Sequence, residues 1–99
     1  MYTQQELIDK LTPIFIKYPI KRAALFGSYA RGEQTNESDI DLLLEYDFSN
    51  NSLDFYDFWD YLECDLKIKA DVLTFRSLES SPKRFRERIL REARYIYEI

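Results

Sequence analysis

The reading of this chain turns on the stretch from Gly27 to Glu45, Gly27-Ser28-Tyr29-Ala30-Arg31-Gly32-Glu33-Gln34-Thr35-Asn36-Glu37-Ser38-Asp39-Ile40-Asp41-Leu42-Leu43-Leu44-Glu45. In its second half, Asp39 and Asp41 alternate with Ile40, Leu42 and Leu44. That period of two predicts a strand over Asp39–Tyr46, with both aspartates on one face, about 6–7 Å apart along the backbone, and the aliphatic residues buried on the other. Two carboxylates so placed repel by roughly 2–3 kcal/mol at an effective dielectric near 20. A divalent cation between them reverses the sign. With oxygen ligands at hand and no histidine anywhere in the chain, the fitting ion is the hard cation Mg²⁺ or Mn²⁺. Taken alone, an Asp-x-Asp at a strand end reads more readily as a solvated pair.

The first half of the stretch changes that balance. Lys21–Phe26 is a short apolar run that predicts a buried strand ending at Gly27-Ser28, with a short helix over Tyr29–Gln34 behind the turn. Glycine permits a turn closed to other residues, and a strand-to-helix turn leaves amide N–H groups facing outward, where they can hold phosphate oxygens. Ser28 adds a hydroxyl and Arg31 a planar guanidinium fork for the same anion. Gly27, Ser28 and Arg31 are therefore candidate nucleotide-binding residues, beside Asp39 and Asp41 as candidate metal ligands. Gly-Ser, ten residues, then Asp-x-Asp arises by chance in about one per thousand chains of this length, at residue frequencies of roughly 5–7%.

Outward from this segment the pattern is that of a small α/β domain. Thr3 and Glu6 form a capping box ahead of Leu7, Leu11, Ile14 and Phe15, predicting a helix over Gln4–Tyr18 that Pro13 kinks or splits and Pro19 ends. A loop at Ser49, Asn50 and Asn51 precedes a helix over Leu53–Cys64. Lys67–Phe75 predicts a third strand with Ile68, Ala70 and Val72 on one face. Ser81 as cap and Pro82 at the first position open a last helix, with Phe85, Ile89, Ala93, Ile96 and Tyr97 as its apolar stripe. The predicted order is α-β-α-β-α-β-α, with helices covering a sheet of three or more strands.

Composition bounds the rest. Ninety-nine residues make one domain, 1–99, with a thin core. Hydrophobic residues at 45% and charged residues at 32% exclude a disordered chain. There is no run of eighteen apolar residues to span a membrane, no signal-peptide core, and a single cysteine, Cys64, so the expected setting is the cytoplasm. Without histidine, any chemistry runs on carboxylates, hydroxyls, Lys and Arg. The aromatic excess (Phe55, Tyr56, Phe58, Trp59, Tyr61, Tyr95, Tyr97) exceeds what a small core readily hides and points to an interface with another chain. The basic segment Arg76–Arg94 reads either as a solvated helix face or as a surface for an acidic partner, and no aromatic–basic platform for nucleic acid is visible.

Gly27 to Leu44, through Gly27, Ser28, Ala30, Arg31, Gly32, Glu33, Ser38, Asp39, Ile40, Asp41 and Leu42, resembles the signature of the minimal nucleotidyltransferases of the polymerase-β-like superfamily. The resemblance implies an α/β (α+β) nucleotidyltransferase fold, a mixed sheet of about three or four strands flanked by helices. It also implies a third carboxylate on a later strand. Asp71 is the candidate, set mid-strand among apolar residues where an unpaired charge is costly, with Asp65 as fallback. By the same resemblance, Asp39, Asp41 and Asp71 hold two Mg²⁺ ions, Asp71 serves as general base, and ATP is the substrate. Many single-domain members resemble antitoxins paired with a HEPN-domain ribonuclease toxin, which they modify with AMP on a tyrosine. The implied assembly is a hetero-oligomer. Two rivals stand beside this: an antitoxin that neutralises by binding alone, and adenylyl transfer to a small molecule.

Overall fold

Alternation along each strand decides which of two faces its side chains serve. The computed structural model describes residues 1–49 and 53–99. Its elements run α1 (Gln4–Lys17), β1 (Ile20–Phe26), α2 (Gly27–Arg31), β2 (Ile40–Tyr46), α3 (Leu53–Leu66), β3 (Ala70–Thr74), α4 (Phe75–Glu79), α5 (Lys83–Glu92) and β4 (Arg94–Glu98). The four strands form one mixed sheet in the order β3-β2-β1-β4. β1 pairs antiparallel with both β2 and β4, and β2 pairs parallel with β3. The expected mixed sheet flanked by helices is what the chain forms.

Ala23 and Leu25 of β1, with Ile40, Leu42 and Leu44 of β2, pack against Leu7, Leu11 and Phe15 of α1 and Phe58 and Leu62 of α3. Ala24, Phe26 and Leu43 point the other way, to Leu78 of α4 and Ile89 of α5. Asp41 lies between Ile40 and Leu42, so it belongs to this second face.

α1 begins at the predicted capping box, with Thr3 Oγ1 accepting from the Glu6 amide and the Glu6 carboxylate accepting from the Thr3 amide. Pro13 does not split it. The helix continues through an exposed Pro13 to Lys17, held by Leu11, Ile14 and Phe15, which are buried on either side of it. The predicted loop at Ser49–Asn51 falls largely outside the described residues.

Two expectations fail near the C-terminus. The last helix stops at Glu92, and Arg94–Glu98 is an edge strand. Tyr95-Ile96-Tyr97 is a run of β-forming residues, and the free edge of β1 is there to receive it. Ile96 and Tyr97 still pack on the core, Tyr97 against Phe15 at 5.3 Å between ring centres, but from the sheet. Residues spaced for a helix and residues spaced for a strand overlap at Ala93, which is why the stripe read as continuous. The cap is also shifted. Pro82 is the N-cap residue of α5, and the Ser81 hydroxyl donates to the Ser77 carbonyl. The third strand is shorter than predicted because Lys67 takes a left-handed conformation (φ 56°) at the end of α3 and Phe75 opens α4.

Most of the aromatic bulk goes inward. Phe58 is fully buried and meets the rings of Phe15, Tyr18, Tyr46 and Phe55. Tyr56, Tyr61 and Tyr95 remain exposed, so the surface available for a partner is smaller than the composition suggests.

Candidate active site

Gly27 is the hinge of the site. β1 ends at Phe26, and the chain turns directly into α2 through Gly27 at φ +71°, a left-handed conformation that side chains with a Cβ resist. A Cβ on Gly27 would lie 2.1 Å from Asp41 Oδ2. Glycine is therefore required twice, once for the turn and once so that the backbone can lie against the Asp41 carboxylate. α2 closes at Gly32, also left-handed at φ 72°, whose amide donates to Tyr29 and Ser28 carbonyls.

Asp41 sits on β2 opposite Phe26 of β1 and, across the parallel pairing, opposite Asp71 of β3. Neighbouring strands lie about 4.8 Å apart, so register alone sets the two carboxylates side by side on the α5 face of the sheet. Asp71 is not buried among its apolar neighbours, as their pattern implies, but exposed. What brings it to the site is the register. Asp39 precedes the first residue of β2, half-buried, and lies close enough to act electrostatically on Asp41. Asp65 is elsewhere, lining a groove between α1 and α3 with Tyr2, Glu6 and Tyr61.

The electrostatics follow from this crowding. Burial pushes the Asp41 carboxyl up to about 6, and the charges of Asp71, Asp39 and Glu92 add to the rise, with Arg31 alone opposing it. A carboxylate held against two others in a half-buried place is stabilised most by a cation. The donor set fits Mg²⁺, which takes one or two carboxylates together with waters and substrate phosphates. Among the described residues no group of three or more Asp, Glu or Cys side chains is placed to hold a metal ion by itself.

Beside Asp41 a cavity of about 390 Å³ is lined by Gly27, Ser28, Arg31, Arg88 and Glu92 over a floor of Phe26 and Ile89. A second, of about 380 Å³, lies between Asp41, Asp71, Trp59 and Phe85. Asp41 stands at the boundary of both. One cavity offers cationic and hydroxyl groups on the glycine turn, and the other offers an aromatic wall.

The sequence reading missed several residues that shape these cavities. Arg88 and Glu92 share one face of α5 with Phe85 and Ile89, at helical spacings of three and four, so the apolar stripe already aimed them at the sheet. Glu63 and Trp59 of α3 hold the start of β3: the Ala70 amide donates to Glu63 Oε2 (2.8 Å), and Trp59 Nε1 donates to the Ala70 carbonyl (2.9 Å). Ala70 precedes Asp71, so both are positioning residues, and nothing in the sequence around them signals it.

A glycine turn, a polar cavity and paired aspartates on adjacent strands define the nucleotidyltransferase class. Residues 9–99 match the family of polymerase β and the nucleotidyltransferases. The chain belongs to that family and is a nucleotidyltransferase of its minimal kind. It is 43% identical over 88 residues, 89% of its length and 91% of the relative's, to MJ0435 of Methanocaldococcus jannaschii, provisionally named a protein adenylyltransferase. It is 31% identical over 80 residues (81% of this chain, 78% of the relative) to the protein adenylyltransferase MntA of Thermococcus cleftensis. A solved structure provisionally described as a minimal nucleotidyltransferase superposes with a TM-score of 0.71 at 29% identity, over 93% of this chain and 91% of that one. Two toxin–antitoxin structures share the fold. One, with AMP-PNP, has a TM-score of 0.72 at 18% identity, over 93% of this chain and 73% of that chain. The other, a tri-AMPylated Shewanella oneidensis HEPN toxin with its MNT antitoxin, has a TM-score of 0.68 at 16% identity, over 97% of this chain and 73% of that chain. Among the described residues no helix is long and apolar enough to cross a membrane.

Proposed function

We propose that this nucleotidyltransferase is a Mg²⁺-dependent protein adenylyltransferase. It moves AMP from ATP to a tyrosine hydroxyl of a HEPN-domain toxin and so acts as that toxin's antitoxin. The observation that carries the reading is the contact of the Gly27 backbone with Asp41, itself in register with Asp71. A phosphate cradle and an acidic pair then meet at one carboxylate.

On this reading Asp39, Asp41 and Asp71 would hold two Mg²⁺ ions, which would supply charge neutralisation for the triphosphate and favour the ionised form of the attacking hydroxyl. The Gly27 amide, the Ser28 hydroxyl and the Arg31 guanidinium bind the β- and γ-phosphates. Asp71, the exposed member of the acidic pair, accepts the proton of the tyrosine hydroxyl. The tyrosine oxygen forms a bond to the α-phosphorus as the bond from that phosphorus to the β-phosphate oxygen breaks, and pyrophosphate carries the leaving charge past Arg31. Exposure suits Asp71 to this role, since the acceptor arrives on a second protein. The named activity of the relatives and the toxin–antitoxin setting of the fold neighbours support a protein acceptor and a toxin partner.

The test is to incubate the chain with Mg²⁺, ATP labelled at the α-phosphate and the protein encoded beside it, then to weigh both proteins. Added AMP on the partner that disappears with Asp41→Asn is the expected result. Neutralisation of the toxin without added mass indicates an antitoxin that works by binding alone. Label found only on a small molecule removes the protein acceptor.

A further inference from the structure

The phosphate cradle already holds an anion from the chain itself. Glu92, the last residue of α5, places Oε1 3.2 Å from Arg31 Nη1 and Oε2 3.4 Å from the Gly27 amide nitrogen. Those are the guanidinium and the amide that the reading above assigns to the triphosphate, and Glu92 lines the same cavity as Ser28 and Arg88. Its carboxylate is also close enough to raise the Asp41 carboxyl, so it intrudes on the acidic side of the site as well. Arg31 keeps a second partner outside the cavity, Glu33 at 3.0 Å, and does not depend on Glu92 for its charge or its place.

We propose that Glu92 is a built-in competitor of the triphosphate: it occupies the Gly27–Arg31 cradle in the free protein, is displaced when nucleotide binds, and thereby sets nucleotide affinity. This rests on the assignment of the cradle to ATP. Two anions cannot share one amide and one guanidinium edge without repulsion. The exchange is feasible because the contact is weak. Arg31 is nearly half exposed, the bond to Gly27 is long, and a pair of that kind favours the docked state by only about five to one. The apparent dissociation constant scales inversely with the fraction of molecules whose cradle is open, so removing the competitor tightens binding about three- to tenfold. When Glu92 leaves, Arg88 is the remaining charge on the α5 wall. Its guanidinium lies over the Phe85 ring, 5.6 Å from the ring centre, and makes none of the ion pairs found among the described residues.

Binding of α,β-methylene-ATP with Mg²⁺, measured by calorimetry, tests the proposal without turnover. Glu92→Gln and Glu92→Ala are expected to bind three- to tenfold more tightly than the unaltered chain. Glu87→Gln is the control, with the same charge change on the same helix at a residue that pairs with Lys83 outside the cavity, and it is expected to bind as the unaltered chain does. Tighter binding by either Glu92 variant, with the control unmoved, supports the proposal. Unchanged or weaker binding by the folded Glu92 variants, while the unaltered chain binds, overturns it and leaves the nucleotide site standing. An equal gain in Glu87→Gln reduces the effect to net charge and also overturns it. No binding by any of the chains overturns the nucleotide site, and this inference with it.

Discussion

Asp41→Asn is expected to make the metal-free protein more stable while abolishing its activity. Asp41 is held with its carboxyl raised from 3.8 to about 6, first by burial and then by Asp71 and Asp39. A folded-state value above the unfolded one means that the folded protein takes up the proton more readily. Stability is therefore fully present below pH 4, falls as the pH rises towards 6, and stays reduced above it. At about 1.36 kcal/mol per pH unit, the span from 3.8 to about 6 sets a ceiling of about 3 kcal/mol. Asp41 is only half-buried, and solvent screening brings that to about 1–2 kcal/mol. Asparagine keeps the shape and removes the charge. For a domain of this size a kilocalorie moves the midpoint by about 4–8 °C. Thermal melts in EDTA at pH 7.5 should therefore place Asp41→Asn about 4–16 °C above the unaltered chain, and the gap should close at pH 4. AMP transfer by the same variant should be lost. Equal or lower stability of Asp41→Asn at pH 7.5, or a gap that persists at pH 4, would refute the claim that burying this carboxylate beside Asp71 and Asp39 strains the site.

Gly27→Ala should cost about 1–2 kcal/mol for the left-handed backbone and reduce transfer by more than a hundredfold, because its Cβ displaces the Asp41 carboxylate; urea titration beside a transfer assay separates the two losses. Glu63→Ala leaves the Ala70 amide without its acceptor and should cost about 1–2 kcal/mol, whereas Glu63→Gln, which retains a carbonyl oxygen there, should recover most of it in the same titration. Phe58→Ala empties the centre of the aromatic cluster and should cost roughly 3–5 kcal/mol, enough to leave a domain of this size largely unfolded at 37 °C by circular dichroism.

The parts of this protein written in short-range pattern could be read before any fold was known. The α1 cap depends on Thr3 and Glu6, three residues apart. The placing of Ile40, Leu42 and Leu44 on one face of β2 and of Asp41 on the other depends only on alternation, and the turn after Phe26 depends on glycine at a position that no Cβ tolerates. The family is legible in the sequence only as a resemblance, carried by the motif residues that run from Gly27 to Leu42. Only the tertiary structure decided the rest, because the deciding contacts join distant residues. Asp71 reaches Asp41 through parallel pairing across thirty positions, a matter of strand register that its immediate neighbours do not encode. Tyr95-Ile96-Tyr97 became strand instead of helix because β1 had an edge to fill. Glu92 entered the cradle from sixty-five residues beyond Gly27, carried there by the packing of Ile89 against the sheet. A helical stripe foretells which face turns inward, but what that face meets is settled by how the layers stack.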